Sequence, residues 1–222
     1  MSMERRPEPE LMEEEEQALA YAQADFSDPH ENFIDLFKQN FTNHDIDGEV
    51  LDLGCGPADV TIRFAKSFPR AKILAVDGAE AMLGFGQKAI DAADLGNQIT
   101  LQKVYLPDDS LPEKNYQVII SNSLLHHLQD PLVLWETIKR YAKPGTRVFI
   151  MDLMRPRSED AVKELVDEYA ADEPPILKRD FSNSLMAAYT VGEVEVQLER
   201  EGLVEFNVKP VSDRHLIVFG TF

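Results

Sequence analysis

Short apolar runs bounded by glycine, proline or acidic residues recur along this chain, and between them the apolar positions fall three or four apart. The runs read as strands: Val50 to Leu53, Lys72 to Val76, Ile99 to Val104, Tyr116 to Ser121 and Arg147 to Pro156. The segments between them read as helices. One runs from Asp59 to Phe68, where Pro69 stops it; another opens at Asp130-Pro131, turns Leu134, Trp135 and Ile138 inward, and ends by Lys143-Pro144-Gly145. Strand alternating with helix in this way predicts an α/β fold with a parallel, doubly wound sheet. From Ser158 to Ala188 the alternation gives way to two helical stretches split by Asp172-Glu173-Pro174-Pro175. Thr190 and Glu193 then form a capping box for a last helix closed by Gly202. Leu203 to Lys209 and His215 to Phe222 predict an antiparallel C-terminal hairpin that brings the sheet to seven strands.

Ahead of the first strand the pattern predicts two more helices. One covers Leu11 to Ala24, and the second opens with Asp28 as N-cap and Pro29 in its first turn. Phe33, Phe37 and Phe41 give that second helix an aromatic stripe suited to core packing. Residues 1–10, MSMERRPEPE, combine prolines and charges with no apolar period and are expected to be disordered. The Glu13 to Glu16 run reads as a solvated face. Gly84 and Gly86 fall inside a predicted helix, where each costs about 1 kcal/mol relative to Ala, and the pattern supplies no reason for them.

Composition narrows the partners. A hydrophobic content of 44% across 222 residues supports one buried core, so residues 1–222 are expected to form a single domain. A net charge of −18 repels phosphate over most of the surface, which argues against nucleic acid and against an anionic membrane. No apolar run approaches the roughly 20 residues of a membrane span, and the first residues lack the apolar core of a signal peptide. Cys55 is the single cysteine, so an internal disulfide is impossible and a reducing cytoplasm is the expected compartment. The chain carries no signal of an oligomeric state.

The chemistry concentrates in EVLDLGCGPADV, Glu49 to Val60, where a buried strand runs into a glycine turn and then a helix. Gly54 and Gly56 let a ligand lie against the main chain, with Cys55 a small filler between them, and the helix N-terminus points positive charge back at the turn. A dinucleotide fingerprint would place a third glycine at position 59, which is Asp59, a carboxylate that repels a pyrophosphate. The other fit is D-x-G-x-G, met by Asp52, Gly54 and Gly56. One strand later Asp77 stands about 20 residues beyond the glycines, where a carboxylate accepts both ribose hydroxyl protons. It is also suited to N-cap the following helix.

With Asp77 in place, the chain resembles the class I S-adenosylmethionine-dependent methyltransferases of small-molecule type, by motif over residues 45–155 and by layout elsewhere. The resemblance implies the Rossmann-like methyltransferase fold, with S-adenosylmethionine as cofactor. It further implies a transferred methyl group and a small-molecule acceptor with an oxygen or nitrogen nucleophile. It places Asp52, Gly54, Cys55 and Gly56 against the methionine end and ribose, Asp77 on the ribose, and Gly78 and Met82 along the adenine. Tyr105 falls where many relatives have an Asp for the adenine amino group, so backbone groups or Asp108 would replace it. Asn122, just past the fourth strand, and the His126-His127 pair continue the likeness. Residues 1–42 would then be an N-terminal helical cap, with Tyr21 and Phe26 near the entrance, and residues 156–189 a helical lid.

Methyl transfer asks a protein to align the reactants, exclude water and remove a proton. His127 and Asp152, past the ends of strands four and five, are therefore the expected acid–base residues, as in some natural-product O-methyltransferases. His126 and Arg155 are placed on the substrate side. Packing of both histidines beneath the cofactor as a structural pair is the competing role. A metal site at His126, His127 and Asp130 is not expected, because adjacent helical residues diverge by about 100°. Arg155, Arg157, Lys178 and Arg179 near the lid raise the idea of an anionic substrate, against ordinary surface charge. The competing functions are a nicotinamide (NAD(P))-dependent oxidoreductase and a non-catalytic S-adenosylmethionine-binding domain.

Overall fold

In a computed structural model that describes residues 3–8, 15–42, 45–107 and 110–222, strand β1 (Glu49–Leu53) lies in the interior of a seven-stranded sheet. Its neighbours are β2 (Lys72–Asp77) and β4 (Tyr116–Asn122), both parallel to it, and β3 (Ile99–Lys103) continues the sheet beyond β2. On the other side come β5 (Arg147–Leu153), β7 (His215–Thr221) and β6 (Asn207–Pro210), giving the order β3-β2-β1-β4-β5-β7-β6. Only β7 runs against the rest, pairing antiparallel with both β5 and β6. The strands that read as continuous apolar runs are buried on both faces: all of β5 is buried, as is β1 after Glu49. The chain turns outward in opposite directions from β1 and β4, so their carboxyl ends leave a crevice at the topological switch point.

The described residues include eight helices: α1 (Glu15–Gln23), α2 (Ser27–Asn40), α3 (Asp59–Ser67), α4 (Glu80–Ala92), α5 (Leu132–Tyr141), α6 (Glu159–Tyr169), α7 (Pro175–Ala187) and α8 (Val191–Arg200). The aromatic stripe of α2 does enter the core. Phe33 and Phe37 are fully buried, and Phe37 meets Phe64 edge-on at 5.1 Å and Phe149 at 5.7 Å between ring centroids. Burying each such ring stabilises the fold by roughly 1.5–3 kcal/mol, so α2 is welded to the sheet. Its start differs from expectation. Phe26 occupies the N-cap without a side-chain bond, and Asp25 Oδ1 accepts the Ser27 amide at 2.9 Å. The capping box of Thr190 and Glu193 forms as read, and Gly202, with φ +71°, follows α8. Residues 11–14 of the expected first helix lie outside the described residues, as do the side chains of the Glu13 to Glu16 run.

The expectation of disorder over residues 1–10 is overturned for the described part, residues 3–8. This strap crosses the carboxyl edge of the sheet. Arg5 donates from Nε to Ala187 O (2.6 Å) and from its terminal nitrogen to His126 O and Leu128 O (both 2.9 Å), and it stacks 4.1 Å over the Tyr189 ring. Arg155 Nε donates to Met3 O at 2.9 Å. A proline-rich charged segment lacks the apolar surface to order itself, but a guanidinium that meets three carbonyls and an aromatic face supplies the compensation.

Candidate functional site

Everything the glycine turn was expected to gather is at the crevice. A cavity of about 120 Å³ is lined by Asp52, Gly54, Cys55, Gly56, Asp77, Gly78, Met82, Tyr105 and Asn122. Gly54 has φ +73°, and a Cβ there would lie 2.8 Å from Leu124 Cδ1, so both conformation and close approach require glycine. The turn packs on α4 as well: a Cβ at Gly86 would come within 3.3 Å of Ala58 Cβ and of Leu101 Cδ1, which accounts for that glycine. Gly84 has nothing within 4 Å, and the structure gives no reason for it.

The carboxylates of the site are held by backbone and hydroxyl donors. Asp77 Oδ2 accepts the Gly56 amide and Oδ1 the Ala79 amide, each at 2.8 Å. Burial pushes its pKa up against the pull of these amides. Both oxygens keep a further lone pair for a ligand hydroxyl. Asp52 is 2% exposed and accepts from Thr61 Oγ1 at 2.6 Å; burial raises its pKa to about 7. Burial likewise lifts the Cys55 thiol well above its ordinary range, which removes it as a nucleophile at neutral pH. Asp59, where a dinucleotide site would want glycine, pairs with His30 Nδ1 at 2.6 Å and Arg63 Nε at 2.9 Å. Asn122 donates to Ser123 Oγ at 3.2 Å, while its buried Oδ1 has no partner among the described residues. An orphan acceptor at this depth fits a ligand donor.

A second cavity of about 370 Å³ adjoins the first. Tyr21, His30, Asn122, Ser123 and His127 line both. Phe26, stacked on Tyr21 with centroids 4.8 Å apart, lines the larger one, together with His126, His215 and residues of α6 and α7. Burial holds the Tyr21 phenol protonated, with a pKa of about 12, and depresses His215 to about 4.

Asp152 and the two histidines are brought together beside the cavities. Asp152 is 1% exposed; it accepts from the Leu125 amide at 2.8 Å and meets His126 Nδ1 at 2.6 Å. It lines neither cavity, so it can act only through His126. His127 is the histidine common to both cavities along with His30. The two rings stack 4.2 Å apart because residues 124–128 form successive turns, with His127 N bonded to Leu124 O and Leu128 N to Leu125 O. The divergence argument that excluded a shared ligand therefore fails, since these residues are not on an α-helix.

Arg155 corrects another expectation. It lines neither cavity; Nη1 donates to Ala188 O at 2.8 Å and Nη2 to Glu193 Oε1 at 2.5 Å, besides Nε to Met3 O. Arg157, Lys178 and Arg179 are also absent from both walls, so the basic cluster does not describe an anion site. Asp108 lies outside the described residues, and Tyr105 is 53% exposed at the rim. His30 was not legible as a site residue. The signal for it was its place one turn before the aromatic stripe.

A family model described as a methyltransferase domain matches residues 23–203. A demethylmenaquinone methyltransferase of Chlamydia trachomatis serovar L2 is 28% identical over 185 residues, covering 81% of this chain and 76% of that protein. An uncharacterized methyltransferase of Schizosaccharomyces pombe is 28% identical over 106 residues, 43% of this chain but only 36% of the yeast protein's length. Among solved structures, a putative S-adenosylmethionine-dependent methyltransferase of Methanococcus maripaludis superposes with a TM-score of 0.73 at 16% identity, covering 97% of each chain. That likeness establishes the fold. Among the described residues, no helix is long and apolar enough to cross a membrane.

Proposed function

Because this chain belongs to the class I S-adenosylmethionine-dependent methyltransferases, we propose that it methylates an oxygen or nitrogen nucleophile of a small molecule seated in the 370 Å³ cavity. The observation that carries this reading is the shared wall: Asn122, Ser123 and His127 face the glycine-turn cavity on one side and the larger cavity on the other. S-adenosylmethionine, when bound, supplies a methyl group on a sulfonium that is already a good leaving group. Asp77 holds the ribose hydroxyls, Asn122 Oδ1 accepts from the amino-acid end, and Gly78, Met82 and Tyr105 border the base. The Asp59 pairings leave no anion-binding helix start, which disfavours the dinucleotide reading.

On the acceptor side, His127 takes the proton of the incoming nucleophile, and Asp152 positions the neighbouring His126. Helix α1, the start of α2, α6 and α7 roof the larger cavity and exclude water. Its wall carries Asp25, Asp28, Glu173 and Asp180 against Arg214, which favours a neutral or cationic acceptor over a polyanion. The test is incubation of the full chain with methyl-labelled S-adenosylmethionine and fractionated metabolites. Label appears in a small, uncharged or basic product. Retained S-adenosylhomocysteine binding without any transferred label would make the chain a binder only, and stabilisation by NAD instead would end the reading.

A further inference from the structure

Where the strap passes the His126-His127 pair, three side chains converge. Glu8 Oε1, His126 Nε2 and His127 Nδ1 all lie within 4.8 Å of one another. Glu8 Oε1 stands 3.6 Å from His126 Nε2 and 3.4 Å from His127 Nδ1. The Glu8 side chain is only 9% exposed, and Oε1 has no hydrogen-bond partner among the described residues. Burial raises the pKa of the Glu8 carboxyl, and a positive centre beside Oε1 would stabilise its charged form.

The bond on the far side of His126 decides what that centre is. Its Nδ1 meets the buried Asp152 carboxylate at 2.6 Å, so in the neutral ring the N–H faces Asp152 and the Nε2 lone pair is the one left toward Glu8. Lone pair and carboxylate then face each other beyond hydrogen-bond range. Ligand bonds of about 2.0–2.1 Å in a tetrahedron set neighbouring ligand atoms roughly 3.3–3.4 Å apart, close to the two separations from Glu8 Oε1. A carboxylate donating order to a ligating histidine through its other nitrogen is the usual outer shell of such sites.

We propose that Glu8, His126 and His127 bind a divalent transition-metal ion of the zinc class, with Asp152 orienting His126. Two imidazoles and one carboxylate suit zinc, cobalt or iron(II) better than magnesium or calcium, which prefer all-oxygen shells. The ion links the strap to the cavity wall, because Glu8 is the only one of the three ligands that comes from residues 3–8. With the ion bound, His127 would have no lone pair left to serve as a base, and that role would pass to an oxygen in the remaining coordination position, which faces the larger cavity that both histidines line.

Calorimetric titration of the chelator-stripped full chain with zinc chloride tests this without any turnover. About one equivalent binds, and Glu8→Gln and His127→Ala each weaken binding at least tenfold, while Asp152→Asn weakens it about 10–100-fold. Glu159→Gln, which removes only the surface partner of Arg6, leaves it unchanged. Stabilisation by S-adenosylhomocysteine in every variant shows that the variants fold. Absence of zinc binding, or binding indifferent to both Glu8→Gln and His127→Ala, overturns the site. Because the cofactor response is read separately, failure of the metal site and failure of the methyltransferase reading are distinguishable.

Discussion

The carboxylate of Asp77 is tied to the amide of Gly56 by a 2.8 Å hydrogen bond, so the end of β2 is locked to the glycine turn that ends β1. A single side chain thus shapes the turn and, in the function proposed, offers lone pairs to a ribose. Replacing it removes both services. Asp77→Ala is expected to weaken S-adenosylhomocysteine binding by about 1.5–3 kcal/mol, the range for hydrogen bonds to a charged group. Calorimetry that returned an unchanged dissociation constant would take Asp77 off the ribose.

Two glycines should respond with opposite sign. Gly54→Ala forces a Cβ onto Leu124 at a positive φ, and a loss of about 1–3 kcal/mol in urea unfolding is expected. Gly84→Ala, in the interior of α4 with open space around it, should gain about 0.5–1 kcal/mol. Equal effects would mean that neither backbone argument holds.

Asp52 makes stability depend on pH. Its folded pKa of about 7 lies above the ordinary carboxyl value, so the unfolded chain releases this proton first as pH rises. Asp52 therefore costs nothing below about pH 4, costs progressively more up to pH 7, and imposes a constant penalty of a few kcal/mol, order of magnitude, above it. Asp52→Asn should raise the melting temperature at pH 8 and leave it nearly unchanged at pH 4. A variant whose gain is equal at both values would contradict the buried, proton-bearing Asp52.

Arg155 holds Met3 O, Ala188 O and Glu193 together from a position 5% exposed. Arg155→Met should cost on the order of 2–4 kcal/mol and abolish amide protection over residues 3–8 in hydrogen exchange. Arg5→Ala should release the same segment at a smaller global cost. Lost turnover with stability and protection intact would restore the substrate-contact role that its basic charge first suggested.

Local information was readable in advance and distant information was not. The glycine turn, Asp77 one strand later, the capping box at Thr190 and Glu193, and the hairpin around β7 depend on residues close in sequence, so their patterns show. Arg5 and Glu8 act on carbonyls and imidazoles more than a hundred residues away, and a stretch of prolines and charges has no period to betray that. Arg155 was misplaced for a related reason: in so acidic a chain a basic residue reads as surface or ligand contact, whereas burial with three acceptors is a tertiary property. His126 and His127 were read onto a helix because the apolar spacing there allows one. The chain instead makes tight turns, and that alone brings the rings together.

The strap is made long before the surface that receives it. Its bonds join residues 121 to 182 positions apart, and the Arg155 that binds Met3 O has its full set of acceptors only once Glu193 has been made. At roughly 5–20 residues per second, a ribosome leaves residues 3–8 unclasped for about ten to forty seconds. During translation the crevice can therefore begin to form with its edge still open, and the strap closes it only after Ala187 and Glu193 have been made.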